Sequence, residues 1–335
     1  MKKLLILFLA SLYLNSCQDQ DQVGDLKITY QEIDINIPGK PIAIQEYKNK
    51  FYAIFDPKLD ILNSDFNFYI LNAKGYVDRK MSLPDNRSEL EYDLYVKNDS
   101  ICIIALSDSQ PFYLDLNNYK WIKIKKQKDL YFEDDKYEIF SRDFGEWGGV
   151  TWFKNKQTQQ QFELEATNPK VNALNDFYYL TQKGKILEIQ NPKVLEKSVQ
   201  PYDFEKVIGV KNYLREGSIS SQGVNTLYTF SDYSEYDYYN KNEFVTSFVS
   251  NNNLYHIYKE SLSTKIATIN QGNLMPIYTF KGSMTPYFKE YTGFPINNNQ
   301  SFNFYNSKTN YVGIILIDGS QIKVTAFINS FHFKS

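Results

Sequence analysis

Short apolar runs that alternate with polar residues recur along almost the whole chain, and this pattern constrains the fold more than any other feature. FYAIFD starts at residue 51, ICIIAL at 101, YEIFSRD at 137, FYYLTQ at 177, LYTFSD at 227, LYHIYK at 254 and YVGIILID at 311. Side chains alternate between the two faces of a strand, so runs of this kind read as strands with one buried face. No sustained helical period follows residue 26. Asn, Asp, Gly, Ser and Lys separate the runs. Glycine is scarce, with 15 in 335 residues, and Asn117-Asn118, Asn251 to Asn253 and Asn297 to Asn299 stand where turns are needed. Asn tolerates the left-handed backbone that tight turns demand.

The runs fall into sets of four. One set is IAIQEY, FYAIFD, FNFYILNAKG and YVDRKMSL, within residues 42–83; the next is DLYV, SICIIAL, PFYLDL and YKWIKIKK, within 93–126. VNALN, DFYYLTQ and GKILEIQ form part of another, as do FVTSFV, LYHIYK, TKIATIN and LMPIYTF. Taking the seven runs above as markers, the spacing averages about 40 residues, which is that of four-stranded propeller blades. The expectation is an all-β chain, a β-propeller of six or seven blades, with residues 26–335 as one domain. Two tandem β-sandwich domains are the alternative, since sandwich strands also alternate. No Pro-, Gly- or Ser-rich linker divides the body. KWIKIKKQK at 120–128 is expected to be an outer strand. Its lysines would guard an open edge, with Ile122 and Ile124 turned to the other side.

The N-terminus carries a different message. Lys2 and Lys3 precede LLILFLASLYL, residues 4–14. That apolar stretch is too short for the roughly 20 residues of a spanning helix and suits a secretory signal. Leu14-Asn15-Ser16-Cys17 follows and resembles the lipobox of bacterial lipoproteins, with Asn15 departing from the usual small residue. The resemblance implies cleavage before Cys17, lipidation of its thiol, and acylation of the new N-terminus. It gives residues 1–16 as signal peptide and 17–25 as lipidated N-terminus and flexible tether. It also implies a bacterial envelope location, at the outer membrane, held there by acyl chains that each contribute about 0.8 kcal/mol per buried methylene. In the body, FGEWGG at residues 144–149 resembles a pattern of β-propeller-like envelope lipoproteins.

Composition narrows the partners. Net charge is −2, and removing Lys2 and Lys3 leaves 35 basic against 39 acidic residues, or −4. A nucleic-acid partner would need a basic footprint, so none is expected. Beyond Cys17 the one cysteine is Cys102, in ICIIAL. Its apolar neighbours predict a buried, inert thiol. The histidines are His256 and His332. Two imidazoles and one thiol make a poor transition-metal set.

Two stretches are candidates for recognition. DFGEWGGVTW, residues 143–152, holds two of the three tryptophans. Gly145, Gly148 and Gly149 permit sharp turns. Trp147 would stack on a sugar or another flat ligand, and Asp143 and Glu146 would bond hydroxyls or a cation. The competing reading is a corner whose tryptophans only pack. The second stretch is SDYSEYDYYNKNEF, residues 231–244. There Asp232, Glu235 and Asp237 alternate with Tyr233 and Tyr236, as calcium ligands or a sugar platform would, although the spacing departs from an EF-hand loop. A solvated acidic loop is the plainer reading. No GxSxG, HExxH or P-loop motif is present. The expected function is a lipid-anchored binding or scaffold module for a glycan, peptide or protein, with no cofactor beyond calcium. Two alternatives are a carboxylate-based glycan hydrolase or lyase on the same scaffold, and an accessory lipoprotein dedicated to one partner.

Overall fold

The computed structural model describes residues 19–56, 66–84, 92–105, 110–124, 130–145, 148–198, 218–231, 242–282, 284–287, 299–306 and 311–331. Within them the chain is all-β. Strands β1 (Asp19–Val23) and β2 (Leu26–Ile35) form an antiparallel hairpin. Sheet I follows as β3 (Lys40–Tyr47), β4 (Lys50–Asp56), β5 (Asn67–Asn72) and β6 (Val77–Ser82). Sheet II is β7 (Tyr92–Lys97), β8 (Ser100–Ala105), β9 (Gln110–Asp115) and β10 (Lys120–Lys123). Sheet III is β11 (Leu130–Glu133), β12 (Tyr137–Asp143), β13 (Gly149–Asn155) and β14 (Gln161–Glu165). Sheet IV begins with β15 (Lys170–Leu174), β16 (Phe177–Thr181) and β17 (Lys185–Ile189). The chain then turns back through a 3₁₀ turn at Pro192–Val194 and adds β18 (Glu196–Lys197) to the outside of β14 in sheet III. It returns as β19 (Asn225–Thr229), the fourth strand of sheet IV. Sheet V is β20 (Asn242–Ser250), β21 (Asn253–Glu260), β22 (Ser263–Asn270) and β23 (Asn273–Thr279). Sheet VI is β24 (Thr285–Tyr287), β25 (Asn299–Asn306), β26 (Tyr311–Asp318) and β27 (Gln321–Asn329).

The sets of four expected from sequence are these sheets, with one correction. LYTFSD at 227 is β19, the last strand of sheet IV, and marks no set of its own. The short interval from 227 to 254 is therefore a fourth strand followed by the second strand of the next sheet.

The two ends of the chain meet in sheet VI. β2 pairs with β27 in parallel, from Lys27 opposite Gln321 to Ile35 opposite Asn329. This register turns Ile33 and Ile35 onto Phe51, Phe55, Ile314 and Phe327, which form one buried cluster with sheet I. Residues 17–25, expected as a flexible tether, include a paired strand and the turn at Gly24 (φ 60°). Asp25 in that turn accepts from Asn251 Nδ2 at 2.8 Å and from the Tyr255 hydroxyl, fastening the hairpin to sheet V.

Five apolar clusters bridge neighbouring sheets: I with II, III with IV, IV with V, V with VI, and VI with I. Among the described residues, sheets II and III share no such cluster. Each has a smaller one of its own: Tyr95, Cys102 and Ile104 in II, and Phe140, Phe144, Val150 and Trp152 in III. Burial pushes the Cys102 thiol up to about 11, so it is protonated and unreactive at neutral pH. β10 is an edge strand of its sheet, as expected, but its inward residue is Trp121. That ring packs on Phe68 of sheet I and its Nε1 donates to Ser82 O at 3.0 Å, while Ile122 is exposed.

Side-chain amides tie neighbouring sheets together. Asn303 on β25 accepts from Ile44 N at 2.8 Å and donates to Ile44 O at 2.7 Å on β3. Gln300 donates to Ser247 O on β20 at 2.9 Å. Asn172 on β15 reaches the Ser247 hydroxyl at 2.7 Å. Each amide both donates and accepts, so it can satisfy backbone groups that the neighbouring sheet leaves unpaired.

Candidate functional site

The DFGEWGGVTW stretch is the β12–β13 hairpin. Asp143 and Gly149 pair across it. Phe144 N donates to Gly148 O at 2.8 Å, and Gly148 N to Gly145 O at 2.9 Å. Gly145 and Gly148 take φ of 65° and 79°, in the region where a side chain would clash with its own backbone. Gly149 answers a different need: a Cβ there would lie 2.3 Å from Thr167 Oγ1 on the next connection. Trp152 is fully buried, with Phe144 edge-on at 6.4 Å and its Nε1 donating to Glu163 Oε2 at 3.2 Å. For the glycines and Trp152, the corner reading holds. Asp143 is exposed at the strand end, and its Oδ1 accepts from Gly145 N at 2.7 Å. Glu146 and Trp147 lie outside the described residues.

Asp232, Tyr233, Glu235, Tyr236 and Asp237 also lie outside them, as do Cys17 and His332. The residues flanking the tyrosine loop are described, and they show where it springs from. Phe230 N donates to Gly184 O at 3.0 Å, and Phe244 N to Lys183 O at 2.7 Å. The connection from β19 to β20 therefore leaves and returns beside the 182–184 turn of sheet IV. That turn meets the 166–169 connection through Gln182 Nε2 and Thr167 O. Asn168 N in turn donates to Ser141 Oγ at 3.0 Å beneath the glycine hairpin. The described residues flanking both stretches singled out from sequence thus lie at one end of sheets III, IV and V.

A third feature at this end has no sequence motif. Lys170 begins β15 and pairs across from Thr181. Val171 points into the cluster shared with sheet III, so Lys170 and Asn172 point the other way, toward β20 of sheet V. Thr181 Oγ1 and Ser247 Oγ are 2.5 Å apart in the same junction. His256 pairs with Ser247 and is almost fully buried, with its ring 5.7 Å from that of Phe244. Desolvation pushes the His256 imidazole down to about 3, so it is neutral in the folded chain, and its Nδ1 has no hydrogen-bond partner among the described residues. Burial acts on Lys170 in the same direction and pushes its ammonium down to about 7, although water still reaches part of the residue. Sequence reasoning missed Lys170 because a lysine next to a proline at a strand start looks like surface; the strand that its face, shared with Asn172, is turned toward lies about 75 residues further on in the chain.

Among the described residues no group of three His, Cys, Asp or Glu is placed to hold a metal ion. No protein-family model matches the chain, and no curated protein matches it. Among solved structures it is similar to Hsv2 of Kluyveromyces lactis, at 8% identity over 82% of this chain and 74% of that one, with a TM-score of 0.33. A catalytically inactive virginiamycin B lyase from Staphylococcus aureus, with quinupristin, is 11% identical over 85% and 83%, with a TM-score of 0.33. The β-propeller domain of the Trilobed protease from Pyrococcus furiosus is 12% identical over 86% and 98%, with a TM-score of 0.35. At such identities and scores these proteins lend the chain a resemblance and no activity.

Proposed function

We propose that the six sheets are the blades of a β-propeller, and that the chain is a binding module held in the bacterial envelope by lipid on Cys17. The β2–β27 clasp would close the ring, and the hub would be lined by the inner strands joined through Asn172, Gln300 and Asn303. The observation that supports the reading is that the described residues flanking both candidate loops lie at one end of sheets III to V. Loops on a fixed scaffold are where specificity resides. In this reading Asp143, Glu146 and Trp147 contact a glycan, peptide or protein from one side. Asp232, Tyr233, Glu235, Tyr236 and Asp237 contact it from the other, and calcium, if bound, sits among the latter carboxylates.

Glycan and peptide arrays probed with the purified chain and with Trp147→Ala test the site. The expected result is a tenfold or greater loss of signal with no change in melting temperature. Equal signals from the two proteins would remove Trp147 and its loop from the binding surface. The anchor is tested separately: Cys17→Ala should move the protein from the membrane to the soluble fraction.

A further inference from the structure

We propose that the edge formed by β23 and β1 rests on the lipid surface, with Met275 and Ile277 in contact with lipid. This rests on the reading of Cys17 as a lipid anchor and adds which surface of the chain the anchor brings to the membrane. Little chain separates the anchor from the fold. Asp19 already pairs with Tyr30 in the β1–β2 hairpin, two residues after Cys17. Two steps of fully extended chain reach about 7 Å. A lipid on Cys17 therefore holds the start of β1 at the membrane surface, with no long tether between them.

β1 is in turn fastened to sheet V. β1 and β23 are edge strands of sheets VI and V. The Tyr278 hydroxyl on β23 donates to Asp21 Oδ2 at 2.5 Å, and Lys281 Nζ pairs with Asp19 at 2.6 Å and with Asp21 at 3.2 Å. Lys281 N donates to the Tyr30 hydroxyl at 3.0 Å. Val23, Tyr30 and Tyr278 pack on the cluster shared by sheets V and VI. The two edges thus present one surface, and a membrane that holds Asp19 lies beside β23 as well.

β23 carries an apolar run on that surface. Met275, Pro276 and Ile277 are all exposed, Met275 at 49% and Ile277 at 38%. Single exposed apolar side chains are ordinary. These are consecutive, and they adjoin Tyr278, which is bonded to the strand leading to Cys17. Pro276 has no N–H to offer a further strand, so this edge is poorly suited to strand addition, whereas lipid requires no such pairing. The charged groups around the run are paired with one another: Lys281 with Asp19 and Asp21, and Lys265 on β22 with Glu260. Contact with lipid then comes from apolar side chains and not from attraction to anionic headgroups.

The test uses the full lipidated chain in phosphatidylcholine vesicles, with and without brominated acyl chains. A fluorophore is attached to Met275→Cys, to Ile277→Cys, or to Ile122→Cys as a control. Ile122 is 39% exposed on β10, an edge strand of sheet II, and so matches Ile277 in kind and exposure. The Cys102 thiol is buried and does not compete for the label. Apolar side chains at an interface enter the headgroup and acyl boundary by about 5–10 Å, so brominated lipid should quench the labels at 275 and 277 by about half or more and leave the label at 122 nearly unchanged. The quenching should not depend on salt.

Labels at 275 and 277 quenched no more than the label at 122 overturn the proposal. So does a label at 275 that is shielded from aqueous iodide yet untouched by brominated lipid, because a second copy of the chain would then cover the edge. Flotation with the vesicles keeps the anchor and the surface apart. A natural chain that does not float overturns the lipid anchor and this proposal with it. A natural chain that floats, in contrast to Cys17→Ala, but whose labels are not quenched leaves the anchor in place and overturns this proposal alone.

Discussion

The two ends of sheets III to V are built differently from the same strands. At one end, β15–β16 and β20–β21 are joined by two residues each, Asn175-Asp176 and Asn251-Asn252, all with φ between 44° and 65°. Two-residue turns with both residues left-handed match the twist of a hairpin and fix its register. Sheet III has Asp134 there, whose carboxylate accepts from Lys136 N and Tyr137 N, both at 2.7 Å, and from the Tyr178 hydroxyl at 2.6 Å. Asp134 is committed to holding its turn and the neighbouring sheet. At the other end the connections vary more in length, from Ser261-Leu262 between β21 and β22 to residues 230–241 between β19 and β20, and Asp143 is exposed. Two-residue turns fix their hairpins in one register, and connections that vary in length on a fixed scaffold are where specificity can be built.

The largest effect that could break this comparison comes from beneath the loop end. Trp152→Ala removes a fully buried ring from the cluster with Phe140, Phe144 and Val150 and leaves Glu163 without its indole donor. A loss of about 3–5 kcal/mol is expected. It would appear as a lower denaturation midpoint with an unchanged slope. A loss under about 1 kcal/mol would mean that the glycine hairpin is not anchored through Trp152, and the rigid-support argument would fail with it.

A smaller loss is expected at the junction of sheets VI and I. Asn303→Ala deletes both bonds to Ile44 and leaves a backbone donor and acceptor unmet between strands. The cost should be about 1–3 kcal/mol, measured in the same way. Asn303→Asp keeps the acceptor for Ile44 N but offers no donor to Ile44 O, so it should recover at most part of the loss. Full recovery would indicate that the amide weld is incidental.

Much of this architecture is legible in the sequence because alternation is a local property. FNFYILN or LYHIYK announces a strand whatever its partner. What alternation cannot announce is the partner. The β2–β27 pairing joins residues nearly the whole chain apart, and a parallel neighbour leaves the same alternating signature as an antiparallel one. β18 is two residues long, too short for any period, yet it extends the sheet before the one being built. LYTFSD makes as good a marker of a separate set as any other run; only its pairing with β17 makes it a fourth strand. The glycine corner at 143–152 was recognisable from composition. Lys170 was not, since its cross-strand partner Thr181 and the strand β20 toward which its face is turned are not its neighbours in sequence.

The smallest expected effect tests the turn end directly. Asn252 is exposed, has φ of 63°, and closes β20 against β21. If its role is conformational, Asn252→Gly should be neutral or stabilising by a few tenths of a kcal/mol, because glycine enters the left-handed region without strain. Asn252→Ala should cost about 1 kcal/mol, because a Cβ there meets the following carbonyl. Glycan or peptide binding should be unchanged in both, since the turn lies at the opposite end of the strands from Lys170 and the two recognition loops. A substitution at Asn252 that reduced binding while leaving stability intact would assign ligand contacts to the turn end and reverse the comparison.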